Sequence, residues 1–586
     1  MFGFYDTGQP TSSTESRNVL IGYNAGYNTT TTSDNHFVGY QAGYANTTGY
    51  NNTFEGNQAG KGNTTGDSNT YLGYHVGDAN QAGSRNTLLG ANAGTDMTAG
   101  YDNTLVGERA GLAVSTGSSN VMLGAQAGRQ STTGANNVFV GVVAGSSNST
   151  GGKNTFLGNS AGSANATGDN NTYVGYDAAG QVQGATGNVA LGFEAGRDIG
   201  GSSNVKLGYQ AGKGPGYFPV ADADQVTLVG YQAGQKNIQD YLVAVGYQAG
   251  FGNTGTNNHF VGYQAGVANT SGFNNYFSGY QAGLTSTTAS RNHFVGYQAG
   301  YANTTGAGNH FDGFQAGRAN NVGDNNTFVG NAAGVANTGG DNNTLIGRLA
   351  AAQSVGGSSV TALGYNAGAT LQFGSQNTFL GANTDVSSPS IGNATAVGYG
   401  AVVNSVNKIR LGNASVTIIE GQVGFSNPSD ARFKYQVQAN VPGLSFITRL
   451  RPVTYRFDHA KLDAFTRSGV LPAGFTPDAQ AAVQSGFLAQ EVEQAARDLG
   501  YAFDAVHAPT TSRDHYSLSY GQFVVPLVQS VQELAKQNDQ LKTENAQLRQ
   551  QLQAVQAGQT SADARLSALE QALRPGPAAP VAAATR

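Results

Sequence analysis

From Gly22 onward the chain repeats itself. Eleven glycines, Gly22 to Gly192, fall at steps of 17 residues; the step wavers through Gly208, Gly230, Gly246 and Gly262, then holds again from Gly279 to Gly398. Each glycine sits in a unit reading Asn-Thr-Phe-Val-Gly-x-x-Ala-Gly, followed by a Ser/Thr/Asn/Gly-rich connection. The unit occurs 23 times, with one longer insertion from Lys213 to Asp224. Units this short cannot each hold a core, so they must stack and bury their apolar faces against one another.

Each residue type in the unit has a structural reason. Thr-Phe-Val is β-branched and aromatic, which predicts a short strand, and Asn-Thr-Thr-Gly supplies turn residues that accept left-handed backbone. Seventeen residues suit one coil of a parallel β-solenoid, expected as two short strands and two turns. At about 4.8 Å per rung, such a stack makes a rod roughly 110 Å long. Adjacent strand residues face opposite sides, yet Phe37 and Val38 are both apolar, as are Phe139 and Val140, and Phe294 and Val295. One column fills the coil. The other stands outside as a stripe that other chains are expected to cover, with the recurrent Ala42-Gly43 type of pair allowing close backbone approach.

The Asn-x-x-Val-Gly-x-x-Ala repeats over residues 18–412 resemble the left-handed β-roll heads of trimeric autotransporter adhesins and the shafts of phage tail fibres, at a longer period than the adhesin norm. That resemblance implies a three-fold bundle. The adhesins end in membrane strands, whereas this chain ends in the Pro/Ala-rich segment from Arg574, so no outer-membrane anchor is expected.

Composition narrows the function. Charged residues make up 11% of the chain, against roughly a quarter in an ordinary domain. Gly is abundant, at 85 residues, but has no Gly-X-Y period, which excludes collagen. A net charge of −5 gives no basic footprint for nucleic acid. Cysteine is absent, and with it disulfides and thiolate metal sites. Met1 to Asp6 has neither a basic nor an apolar signal region, and no stretch approaches the roughly 20 apolar residues of a spanning helix, so membrane insertion is not expected. A chain made without a signal and one whose signal has been removed both fit.

Near Asn413 the repeat stops and charged residues become common. The domain reading is an N-terminal segment (1–17), the shaft (18–412), a linker (413–428), a small α+β domain (429–526), a coiled coil (527–573) and a disordered tail (574–586). Within the α+β domain, 445–450 and 489–499 have helical character, and 453–457 and 516–520 read as strands. From Leu527 a heptad takes over: Leu534, Leu541 and Leu548 follow on one seam position, and Val531, Asn538, Asn545 and Leu552 hold the other.

Four ordered motifs carry a second resemblance. They are Ser429-Asp430-Ala431-Arg432-Phe433-Lys434, then 450–455 (Leu-Arg-Pro-Val-Thr-Tyr), then 486–492 (Gly-Phe-Leu-Ala-Gln-Glu-Val), and the run from Tyr516 into the coiled coil. Together they resemble the intramolecular chaperone domain that ends phage endosialidases, tail spikes and tail fibres. The resemblance implies a homotrimer whose chaperone nucleates assembly and then cuts itself off just before the serine, with Ser429 as nucleophile and Lys434 as base. The scissile carbonyl is then that of Pro428, and the only enzymatic activity expected is this self-cleaving serine endopeptidase. A serine hydroxyl needs an adjacent base, and lysine serves only when desolvation or a neighbouring cation, for which Arg432 is a candidate, keeps it neutral. Asp430 and Arg432 are supporting residues or a structural ion pair. Five residues apart, Ser429 and Lys434 share no face of a strand and lie about 140° apart on a helix. A sharp bend or a neighbouring chain must join them.

The leading reading is therefore a structural fibre of a phage or phage-like particle, with a baseplate and a cell-surface receptor as partners besides the chain itself. The alternative is an extracellular bacterial surface adhesin that binds host or matrix glycans and keeps its chaperone. A polysaccharide-degrading fibre would need paired acids in an insertion, and Lys213 to Asp224 holds only Asp222 and Asp224. His36, His259, His293 and His310 recur at one repeat position and read as Thr-equivalents rather than metal ligands. No cofactor is expected.

Overall fold

A computed structural model describes residues 17–216, 221–470, 480–574 and 576. Nearly all of the N-terminal segment, most of the tail and four residues of the insertion lie outside these. The chain divides into two units, Met1–Asn413 and Ala414–Arg586.

The first unit is a parallel β-solenoid built on one sheet of 24 strands. Each coil contributes one strand, usually of three residues, paired one period away: Leu20 faces Phe37, and Phe37 faces Phe54. In every three-residue strand the middle side chain is buried and its neighbours point outward. Phe37, Phe139 and Phe294 are wholly buried within their own coils, so the phenylalanine column is the interior and the Val38, Val140 and Val295 column is the outer stripe. The interior rings stack at 4.7–4.8 Å from Phe294 through Phe311 to Phe328, each pair adding roughly 0.5–1.5 kcal/mol beyond burial.

The far side of the coil differs from the expected second strand. Among the described residues only Ile199–Gly200 with Ala221–Asp222, and Asp385–Val386 with Val402–Val403, pair as strands there. Elsewhere left-handed residues such as Gln41 (φ 53°) and Gly43 (φ 59°) turn the chain, and turn amides bond directly to the next coil, as Gly43 N does to Ala59 O at 2.9 Å. Too few consecutive residues are extended for a second ladder. The asparagine before most strands is buried and serves the backbone. Asn35 Oδ1 accepts from Asn52 N at 2.9 Å, and its Nδ2 donates to Gly49 O at 3.1 Å. The central glycine is required because coils touch there: at Gly39 (φ 138°) a Cβ would lie 2.1 Å from the Gly56 carbonyl oxygen.

Beside the insertion the apolar interior is interrupted. Lys206 takes the inward position opposite Ala190 and Leu228, is buried, and donates from Nζ to Ile199 O at 2.9 Å. The buried core forms two clusters on either side, Leu20 to Ala195 and Ile199 to Val403.

The second unit is a small α+β region followed by a long helix. Its helices are α1 (Leu444–Ile447), α2 (His459–Ser468), α3 (Ala489–Arg497) and α4 (Val524–Ala572, 49 residues). Val453–Arg456 pairs antiparallel with Val483–Gly486, and Val506–His507 with Ser517–Leu518. The core gathers Phe446, Val492, Ala495, Phe503 and Phe523, with Phe503 edge-on to Phe446 and to Phe523 at 5.0 and 4.9 Å. Gly443 offers α1 no side-chain cap; Glu533 of α4 supplies one, accepting from Leu444 N at 2.8 Å. The last helix starts three residues before the expected coiled coil and runs unbroken through Gly558. Its heptad leucines, including Leu534, Leu541 and Leu548, stand exposed on the single chain.

Candidate functional site

Upstream of the serine the chain is open. Residues 414–429 are nearly all exposed and contain no strand or helix, although Val416, Ile418, Val423 and Phe425 are apolar. Order returns at Asp430. Its backbone is extended (φ −71°, ψ 130°), and its carboxylate caps a single 3-10 turn, Ala431–Phe433, by accepting from Arg432 N at 2.9 Å. Backbone bonds from Phe433 N to Asp430 O and from Lys434 N to Ala431 O, both 3.1 Å, close the turn.

This turn is the bend that the spacing demands, and it lies within one chain. Lys434 folds back so that its Nζ donates to Ser429 Oγ at 2.7 Å. Arg432 points elsewhere. Its guanidinium binds Asp430 at 2.6 and 2.9 Å and lies 5.7 Å from the centre of the Phe433 ring. Asp430 is held below the usual carboxylate range by these Arg432 hydrogen bonds, and Arg432 is raised in turn by Asp430. Arg432 is therefore a matched counter-ion of the cap rather than a free cation beside the lysine.

An ammonium donates hydrogen bonds and has no lone pair with which to take a proton. In the geometry seen, Lys434 Nζ is the donor and Ser429 Oγ the acceptor. Both side chains face solvent, as does Pro428.

Other candidate positions serve the coils. His259, Tyr276, His293 and His310 are first-strand residues stacked on one another at 4.6–4.8 Å, in the column that other coils give to threonine. Among the described residues no group of three or more His, Asp or Glu is placed to hold a metal. In the insertion, Asp224 Oδ1 accepts from Ser202 N at 2.6 Å, tying one coil to the next.

A feature not anticipated lies on the outer surface. The residue after the central glycine is aromatic in nine successive coils from Tyr176 to Phe314. Its sequence signal, the recurring Gly-Tyr-Gln-Ala-Gly, was present but sits outside the strand triplets. Next to it the glutamines form their own ladder, each Nε2 donating to Oε1 of the preceding coil from Gln315 back to Gln210. Gln210 ends the ladder on Glu194 at 2.7 Å, a carboxylate also bound by Arg197 and Lys213.

Residues 429–501 match the family model described as Chaperone of endosialidase. The chain matches no curated protein. The second unit thus carries a chaperone-of-endosialidase domain behind a long β-solenoid, and chaperone domains of this family act in trimeric fibres. The match opens on Ser429 and includes the whole capped turn. Among the described residues no helix is long and apolar enough to cross a membrane.

Proposed function

We propose that this chain is the precursor of a homotrimeric fibre whose C-terminal domain assembles the solenoid shaft and then releases itself at Pro428-Ser429. The observation that carries the reading is the 2.7 Å contact between Lys434 Nζ and Ser429 Oγ at the first residue of the chaperone match. Once buried, neutral Lys434 takes the hydroxyl proton as Ser429 Oγ attacks the Pro428 carbonyl carbon. The Pro428–Ser429 C–N bond breaks as the lysine returns a proton to the leaving nitrogen, and the peptide becomes an ester on Oγ. Water hydrolyses that ester, freeing a carboxylate at Pro428 and an amine at Ser429. Asp430 holds the turn and Arg432 balances its charge.

Burial of the dyad is assigned to assembly. The dyad is already in contact yet open to water, and the α4 leucines beside the same domain are also uncovered, so trimerisation supplies what the chemistry lacks. Cutting is then gated by correct folding. The fibre is assigned to a phage or phage-like particle on the strength of the chaperone match, with a cell-surface receptor as its target.

Mass spectrometry of freshly expressed protein tests the reading. Wild type is expected to yield a product ending at Pro428 and another starting at Ser429. Ser429→Ala, which removes the nucleophile, and Lys434→Ala, which loses acid–base help worth roughly 10²–10⁴-fold, should both leave full-length trimers. Wild-type chains that persist uncut in well-formed trimers would falsify self-cleavage and leave only the chaperone role.

A further inference from the structure

The outward aromatic column from Tyr176 to Phe314 is the longest unbroken aromatic run at its repeat position. Its nine rings stack at 5.0–5.3 Å with planes within 10° of parallel, and each is 40–53% exposed. Asn159 and Asn331 bound it at the same position; beyond them the position is mixed, with Tyr23, Tyr40, Asn57, Tyr74 and Glu108 before and Arg348, Tyr365 and Tyr399 after. The strip is flanked on one side by outward Val229, Val245, Val261 and Val295, with Ser278 and Asp312 in the same column, and on the other by the glutamine ladder, whose amides bond along their own column.

Ring orientation decides what this strip can hold. A sugar or planar ligand docks on an open ring face, but here each face is covered by the next ring. What remains is a flat band of ring edges. An aromatic side chain carries roughly 150–250 Å²; with about two-fifths of that open, nine rings expose roughly 700 Å², close to the ~800 Å² per partner of a stable interface and above the ~300–600 Å² patch usual on a monomer. The valine column adds to it.

We infer that this strip is the surface along which copies of this chain pack side by side, parallel and in register. The inference rests on the multi-chain fibre reading and specifies which face closes it. Identical strips have identical ring spacing, so every ring edge of one copy meets one of its neighbour. The polar residues bounding the strip oppose a slip by one coil, which would set an end ring against Asn159 or Asn331.

The chain has no cysteine, so single cysteines report on the surface directly. Tyr247→Cys and Tyr263→Cys replace outward residues on the strip; Thr305→Cys lies in an exposed turn of the same array. With a short bis-maleimide, full-length Tyr247→Cys and Tyr263→Cys are expected to give cross-linked chains on a denaturing gel, and Thr305→Cys only single chains. If the strip cysteines label as single chains while sedimentation gives a trimer mass, the interface lies elsewhere and the strip is open to a different partner, though the fibre reading stands. A single-chain mass for uncut wild type would overturn both.

Discussion

Lys206 shows what one residue does inside a repeat. It occupies an inward position between Ala190 and Leu228, and burial pushes its pKa down to about 7. The unfolded chain holds that proton up to pH ~10.4. Between the two values the unfolded state binds more protons than the folded one, so stability rises with pH by up to about 1.4 kcal/mol per unit. Below the folded pKa both states are protonated and the penalty is complete. Lys206→Met is therefore expected to raise the unfolding midpoint at pH 7.5, with the gain shrinking towards pH 10.5, which denaturant titrations at the two pH values would show. No difference between the pH values would mean that the side chain reaches water. Ser429 and Lys434 were legible as a pair because their motif is contiguous. Their contact was not, since it depends on the Asp430 cap closing a 3-10 turn. Lys206 was hidden by a 16-residue step that blurs which strand position faces inward.

At the scale of the element, the coil is held by backbone touching backbone. A Cβ on Gly279 (φ 145°) would lie 2.2 Å from the Gly296 carbonyl oxygen, an atom that cannot move without its whole coil. Gly279→Ala should cost about 2–4 kcal/mol, read as a lower thermal midpoint, whereas Thr305→Ala in an exposed turn should stay near neutral. A Gly279→Ala protein that melts with wild type would mean the coils are looser than this contact implies. The strand triplets were readable from their β-branched and aromatic residues. The missing second strand was not, because left-handed glutamines look like ordinary polar residues in a sequence. Helix α2 was overlooked although Asp458 caps Lys461 N at 2.9 Å and Gly469 ends it at φ 73°; its mixed composition gave little apolar period to follow.

At the scale of the whole molecule, assembly and cutting should respond together. Leu541 stands exposed on α4 at a heptad seam position, far along the chain from Ser429. Leu541→Asp is expected to abolish the trimer and, with it, the cut, although the dyad is untouched; sedimentation and fragment mass report the two effects separately. Efficient cutting by a Leu541→Asp monomer would show that the dyad is desolvated without assembly. The division into a repeat and a chaperone domain followed from the sequence, since composition changes where the period stops. The aromatic strip did not, because its rings lie beyond the strand residues on which the period was read.

The pairing of each strand with the strand one period away makes the shaft a ruler. Among the described residues each strand of the main sheet pairs with the strands of its neighbouring coils, so nearest-neighbour terms govern stability. Excising one period, such as residues 280–296, would bring Gly279 onto the Gly313 coil with the same backbone partners and shorten the rod by about 4.8 Å. Reach is thus written in copy number, and a lineage can lengthen or trim it one rung at a time without redesigning a contact.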